Sequence, residues 1–453
     1  MSHACAKAPQ YVALAIIATA ILVGASTGQA ATFTWDGGGG DDNWSTGLNW
    51  AGDAAPANPA ANDDLAFAGS TRSTPNVDAP WSGVQSIGFT GATTAFTIGG
   101  NAVTLSGTGT ISNATAFDHA INTNLVGGAT ALNVTQNADG NQLTFGGTVD
   151  LSAGGGLNIT PTAGTVVFNG VISGGAAVTT NAGAGTVQLN AANTFTGGLN
   201  LDGGTLAVNA DGNLGAAGGA MGFDGGTLQY GTGFTDSTRP VTLGAGGGTV
   251  DTNGNDAALQ GAVDGAGALT KIGAGTLALG GANTYAGGTT VSGGTLQGTT
   301  TSLQGDVTND AAVVFDQAAD GTYAGVLSGT GTVTKSGAGT VTFSGANTYA
   351  GGTTVSGGTL QGTTTSLQGD VANDAAVVFD QAADGTYAGV LSGTGSVTKS
   401  GAGTVTFSGA NTYSGGLNLN GGTLAVNADG NLGAAGGAMG FDGGTLQYGT
   451  GFT

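Results

Sequence analysis

A long internal repeat constrains this chain more than any other feature. The stretch 273–336, GAGTLALGGANTYAGGTTVSGGTLQGTTTSLQGDVTNDAAVVFDQAADGTYAGVLSGTGTVTKS, starts again at Gly337 and a third time at Gly401. The first two copies differ at six positions, among them Thr308, which becomes Ala372, and Thr332, which becomes Ser396. The period exceeds that of most solenoid repeats, so each unit is expected to hold several turns of backbone. The unit divides into three pieces, 340–358, 359–380 and 381–403, and each is the size of one coil of a parallel β-solenoid.

Strands rather than helices follow from the residue pattern. Thr340-Val341-Thr342-Phe343 alternates polar and apolar with period two. Thr289-Thr290-Val291 and the run Ala312 to Phe315 are rich in β-branched or aromatic residues. Gly-Gly pairs at Gly287-Gly288 and Gly293-Gly294 close these runs where the chain must turn. The chain has no Glu and little Lys, so the usual surface helix formers are missing. Coils this short bury an apolar face only by stacking, each pairing with the next at about 4.8 Å. Three coils per unit place equivalent residues such as Asn283, Asn347 and Asn411 three rungs apart on one face, about 14 Å along the axis. At about 21 residues per coil, the mature chain is expected to form roughly twenty coils, a rod on the order of 95 Å long.

Glycine supplies 94 of the 453 residues, and only 7% are charged. Glycine at that level without a period predicts disorder, but here Val, Leu and Phe recur in register. All 27 acids are Asp, which suits the corners of coils through side-chain to backbone hydrogen bonds. A net charge of −21 offers no basic patch for nucleic acid and no attraction to anionic lipid. One Cys, Cys5, and two His, His3 and His119, exclude an internal disulfide and a Cys/His metal cluster.

Residues 1–30 read as a secretory signal peptide. Lys7 precedes an apolar run over 11–23, and Gly28-Gln29-Ala30 carries small residues at the positions a signal peptidase reads. Cleavage is expected between Ala30 and Ala31. An uncleaved anchor is the other reading, although the run is shorter than the ~20 residues that span a bilayer.

Residues 31–120 form a second compositional region with all four Trp: Trp35, Trp44, Trp50 and Trp81. The run TWDGGGGDDNWSTGLNW (34–50) reads either as an aromatic surface for stacking on sugars or as a cap over the open end of a solenoid. The cap is the favoured reading. The region 121–453 reads as the coiled body. Within 89–181 the one notable pair is Asp118-His119, which has no nucleophile or third ligand beside it and reads as a turn feature. A longer-range repeat, residues 197–235, returns at 415–453 with Asp202 changed to Asn420. Its second copy stops in mid-repeat at Thr453, so the chain is expected to be a fragment of a longer reading frame.

The segment GAGTLALGGANTYAGGTTVSGGTLQ (273–297), its copy at 337–361 and the versions at 183–206 and 401–424 resemble the autotransporter-associated β-strand repeat. The lead-ins DGAGALTK (264–271) and SGTGTVTK (328–335) match the segment that precedes that repeat, and TWDGGGGDDNW is similar to the opening of many such proteins. The resemblance implies a right-handed parallel β-helix, a pectin-lyase-like β-solenoid, forming the passenger of a bacterial type V autotransporter. It also implies export through a C-terminal outer-membrane barrel, which this sequence lacks; a short C-terminal anchor is the other arrangement found with such repeats. Localisation is then secreted or on the bacterial cell surface.

Three function classes remain. A structural or adhesin-like passenger uses repetition for many weak, equivalent contacts, with host or neighbouring-cell surface glycans or proteins as partners. A polysaccharide lyase or hydrolase needs a basic side chain near clustered acids, or a carboxylate pair. Lys271, Lys335 and Lys399 recur with the scaffold rather than marking a unique site, so the chain is read as not an enzyme. A calcium-binding surface-layer protein would draw on Gly254-Asn255-Asp256, which resembles half of a nonapeptide calcium site, or on Asn309-Asp310 and Asp316 with their copies Asn373-Asp374 and Asp380. Solvated corner residues are the simpler reading of those acids. No residue is assigned a catalytic, cofactor-binding or metal role, and no cofactor is expected.

Overall fold

The computed structural model describes residues 30–449 other than 59, 61 and 237. The segment up to Gln29, with Cys5 and Lys7, on which the signal-peptide reading falls, lies outside the described residues. The chain is an all-β parallel β-solenoid of about 18 turns. Among the described residues it has no α-helix, only three short 3-10 turns at Gly47–Asn49, Asp211–Leu214 and Asp429–Asn431. None of these is long and apolar enough to cross a membrane.

Each coil visits three faces, and strands on each face pair in parallel with those one coil above and below. On face one, Thr340–Phe343 lies on Gly321–Tyr323 and under Thr359–Gly362. On face two, Leu269–Ile272 pairs with Thr289–Val291, which pairs with Val307–Asn309. On face three, Thr276–Leu279 pairs with Thr295–Gly298, then with Ala312–Asp316 and Thr332–Ser336. Alternation sets what is inside: Val341 and Phe343 are buried while Thr340 and Thr342 are half-exposed. One continuous column of Val, Leu, Ile, Phe and Tyr side chains fills the axis.

The copies do not line up on one face, contrary to the expectation from three coils per unit. On face three the register steps from Leu277 to Leu296, Val313 and Val333. The third coil is therefore complete at Val333, eight positions before Val341, which is the copy of Leu277. Those eight positions carry the chain one face further. Thr276–Leu279 lies on face three, its copy Thr340–Phe343 on face one, and its second copy Thr404–Phe407 on face two. The sequence unit is ten faces, or three and one-third coils, and equivalent residues turn by one face per unit. Asn283 bonds to Val263 and Ser302, Asn347 to Leu327 and Ser366, and Asn411 to Leu391 and Asn431, three separate columns.

Corners are stitched by aspartate. Asp256, Asp306, Asp310 and Asp320 each accept a hydrogen bond from the backbone N–H twenty residues on, that of Thr276, Val326, Thr330 and Thr340. Asp370, Asp374 and Asp384 repeat this in the next unit. Twenty residues is one coil, so each carboxylate satisfies a donor at or just before the start of a strand one rung above. Asp reaches it with a single methylene, which explains in physical terms why the acids are Asp. The Thr340 and Thr404 N–H and hydroxyl groups hold the exposed Asp320 and Asp384 carboxyls below the usual carboxylate range.

Candidate functional surface

The lysines are internal. Lys271, Lys335 and Lys399 have no exposed surface. Lys271 Nζ donates to the carbonyls of Ile272, Gly273 and Gly293 at 2.9, 2.8 and 3.0 Å. Lys335 and Lys399 fill the same cradles at Ser336, Gly337 and Gly357 and at Ser400, Gly401 and Gly421. Gly294, at φ +65°, leaves this cradle open: a Cβ there would sit 2.2 Å from Gly275 O and 2.9 Å from Lys271 Nζ. Burial pushes the Lys271 ammonium down to about 8, opposed by the charge of Asp251. All three donors of each ammonium are used, so these groups are corner braces out of reach of a substrate.

Arg239 is used the same way. It is fully buried, pairs through Nε with Asp211 at 2.8 Å, and donates to the carbonyls of Asp211, Gly215 and Ala216. Arg72 pairs with Asp42 at 3.0 Å and donates to Gly39 O. Every Lys and Arg side chain among the described residues thus binds protein groups, and of these only Arg72 is partly exposed.

The other candidates resolve similarly. His119 is buried, stacked on Phe89 at 4.1 Å, with Nδ1 accepting from the Phe96 N–H and Nε2 at 2.7 Å from Thr115 Oγ1. Burial lowers its pKa to about 4, against the raising effect of Asp118. Asp118 faces the other way and accepts from the Gln142 N–H. Asn309 points inward and bonds to Thr332 O and the Ala311 N–H. It therefore does not converge with Asp316, which accepts from Gln297 outside. No group of three metal-ligating side chains occurs among the described residues. The four Trp are buried and offer no indole face for sugar stacking. Trp50 Nε1 donates to Trp44 O, and Trp35 Nε1 to Arg72 O.

What the exterior does offer is polar ladders. Face two carries one in unbroken register: Thr165 beside Thr186, Thr205, Thr227 and Thr249. It runs on through Thr270, Thr290 and Thr308 to Ser328. The sequence hides it because these positions recur at uneven steps. An open groove of about 310 Å³ between Thr363–Thr365 and Asp380–Asp384 lies on a later turn.

Against known proteins, the passenger-associated-transport-repeat matches residues 180–208, 269–297, 333–361 and 397–426. The chain is 40% identical over 182 residues to the adhesin BmaC autotransporter of Brucella suis biovar 1 (strain 1330). That match covers 39% of this chain and 5% of the relative's length. No solved structure matches. Four such repeats, wound into one parallel solenoid, and the likeness to part of an autotransporter adhesin support reading this chain as an autotransporter passenger-domain repeat protein.

Proposed function

We propose that the chain is an exported, cell-surface, adhesin-like passenger that presents a repetitive surface for attachment. The observation that carries this reading is the rotation of the repeat unit. Copies of one outer surface point in three directions around the rod, which suits many weak contacts made at once. Arg239 and the three lysines are braced inside and Arg72 is engaged by Asp42 and Gly39, which leaves no free basic partner of the kind lyase chemistry needs. Residues 1–30 are the export signal in this proposal, removed between Ala30 and Ala31. The Trp-rich segment covers the first coil. Partners are surface glycans or proteins of host or neighbouring cells.

The test is retention of beads coated with the full chain on immobilised cell surfaces. Retention is expected to exceed that of uncoated beads and to fall when residues 337–400 are deleted. Equal retention with and without the chain would overturn the proposal. Mass measurement of the exported protein should place its N-terminus at Ala31; a retained leader would contradict the cleavage.

A further inference from the structure

We propose that the hydroxyl ladder of face two, from Thr165 to Ser328, is a docking track for a linear, uncharged polysaccharide. The inference rests on the adhesive reading and names the partner's chemistry.

The ladder holds nine consecutive rungs in register, eight Thr and one Ser. At about 4.8 Å per rung it extends on the order of 38 Å. Every member is half-exposed or exposed, while the flanking Leu206, Leu228 and Val250 are buried, so the hydroxyls stand on the outside of a rigid sheet. None of the eight Thr hydroxyls has a hydrogen-bond partner among the described residues, whereas Ser328 Oγ reaches Val307 O at 3.4 Å. Threonine is a good strand former, which accounts for some Thr on any outer face. It does not account for nine rungs without interruption. The outer column of face three reads Ala278, Gln297, Val314 over three rungs of the same rod.

The symmetry of the ladder selects the partner. A globular receptor does not repeat one group along a straight line, but a linear polymer does. An extended polysaccharide carries hydroxyls at a sugar repeat close to the rung spacing, so successive sugars meet successive Thr groups that both donate and accept. Individual contacts are weak, and their number supplies the affinity. Charge narrows the class. The chain carries −21 overall, Arg239 and the three lysines are buried, and the half-exposed Arg72 is paired with Asp42, so a polyanionic glycan is repelled and an uncharged one is not. The same repulsion opposes a second copy of this chain laid along the ladder.

The experiment uses the full chain and three probes: cellulose oligomers, chitin oligomers and polygalacturonate. One triple variant carries Thr249→Val, Thr270→Val and Thr290→Val, which keep strand propensity and shape while removing three hydroxyls. A second carries Thr322→Val, Thr342→Val and Thr398→Val on face one. Wild type and the face-one variant are expected to bind at least one uncharged oligomer, with affinity rising with oligomer length, and not to bind polygalacturonate. The face-two variant, with unchanged melting, is expected to bind about tenfold or more weakly. Equal binding by the two variants, or no binding of either uncharged oligomer, overturns the proposal. So does loss of wild-type self-association in the face-two variant without change in glycan binding, which would assign the ladder to a second copy. If coated beads still adhere to cells while no uncharged oligomer binds, the adhesive reading survives and the ladder proposal falls.

Discussion

Single side chains inside the solenoid obey a strict accounting of hydrogen bonds. Tyr285 and Tyr349 place their hydroxyls 2.8 and 2.7 Å from Thr289 and Thr353. In the last unit the Thr is replaced by Leu417, and the buried Tyr413 hydroxyl has no partner among the described residues. An earlier version pairs Phe195 with Leu199, which removes the conflict from both sides. Tyr349→Phe should therefore destabilise by about 1 kcal/mol, whereas Tyr413→Phe should be neutral or stabilising, because burying an unmade hydroxyl bond costs about 1–3 kcal/mol. Denaturant midpoints of the two variants check the difference in sign. His119 gives a second residue-scale prediction. Its folded pKa of about 4 lies below the ordinary 6.5, so the unfolded chain binds the extra proton first as pH falls. The stability contributed by the neutral ring is full above pH 6.5 and is lost progressively as pH drops through 4. Urea midpoints between pH 7 and 4 should fall more steeply for wild type than for His119→Asn, in which no imidazole titrates; parallel slopes would refute this.

Strands and corners were legible in the sequence to different degrees. The alternation in Thr340–Phe343 follows from one run of four residues, because a strand with one buried face admits only one inward set. Phe343→Asp should cost several kcal/mol by burying an unpaired charge, and Thr342→Asp less than about 1 kcal/mol, as read by melting of the exported protein. The lysine cradles were not legible. A Lys at the end of an alternating run reads as solvent-facing, and only the three-dimensional corner shows carbonyls from two coils converging on Nζ. The facing of the copies was misread for a related reason. Splitting the unit into three coils is the simplest division, but tight corners make the real coils shorter than a third of it, as the steps from Leu277 to Leu296, Val313 and Val333 show. The surplus appears as rotation. On the exterior, the uneven spacing of the face-two Thr residues concealed a ladder that strand register makes plain.

At the scale of the whole molecule, the solenoid is a modular rod whose repeat has its own screw. Deleting residues 337–400 joins Ser336 to Gly401 and restores identical neighbours at the junction, because Gly401 to Ala410 repeats Gly337 to Ala346. Folding should survive. The rod should shorten by about 16 Å, three and one-third rungs, and everything beyond the junction should turn by one face. Small-angle scattering of the two proteins checks the length. The rotation is the central claim, and distances between spin labels on introduced cysteines test it most directly, since the only natural Cys is Cys5. Thr342 lies three rungs from Thr398 in one column, through Gln361 and Val378. Its sequence equivalent Thr406 lies on another face, beside Thr386. The fold described here predicts about 14 Å between backbone positions for the 342/398 pair and a clearly longer distance for 342/406. A shorter distance for 342/406 than for 342/398 would contradict it and restore the alignment of all copies on one face.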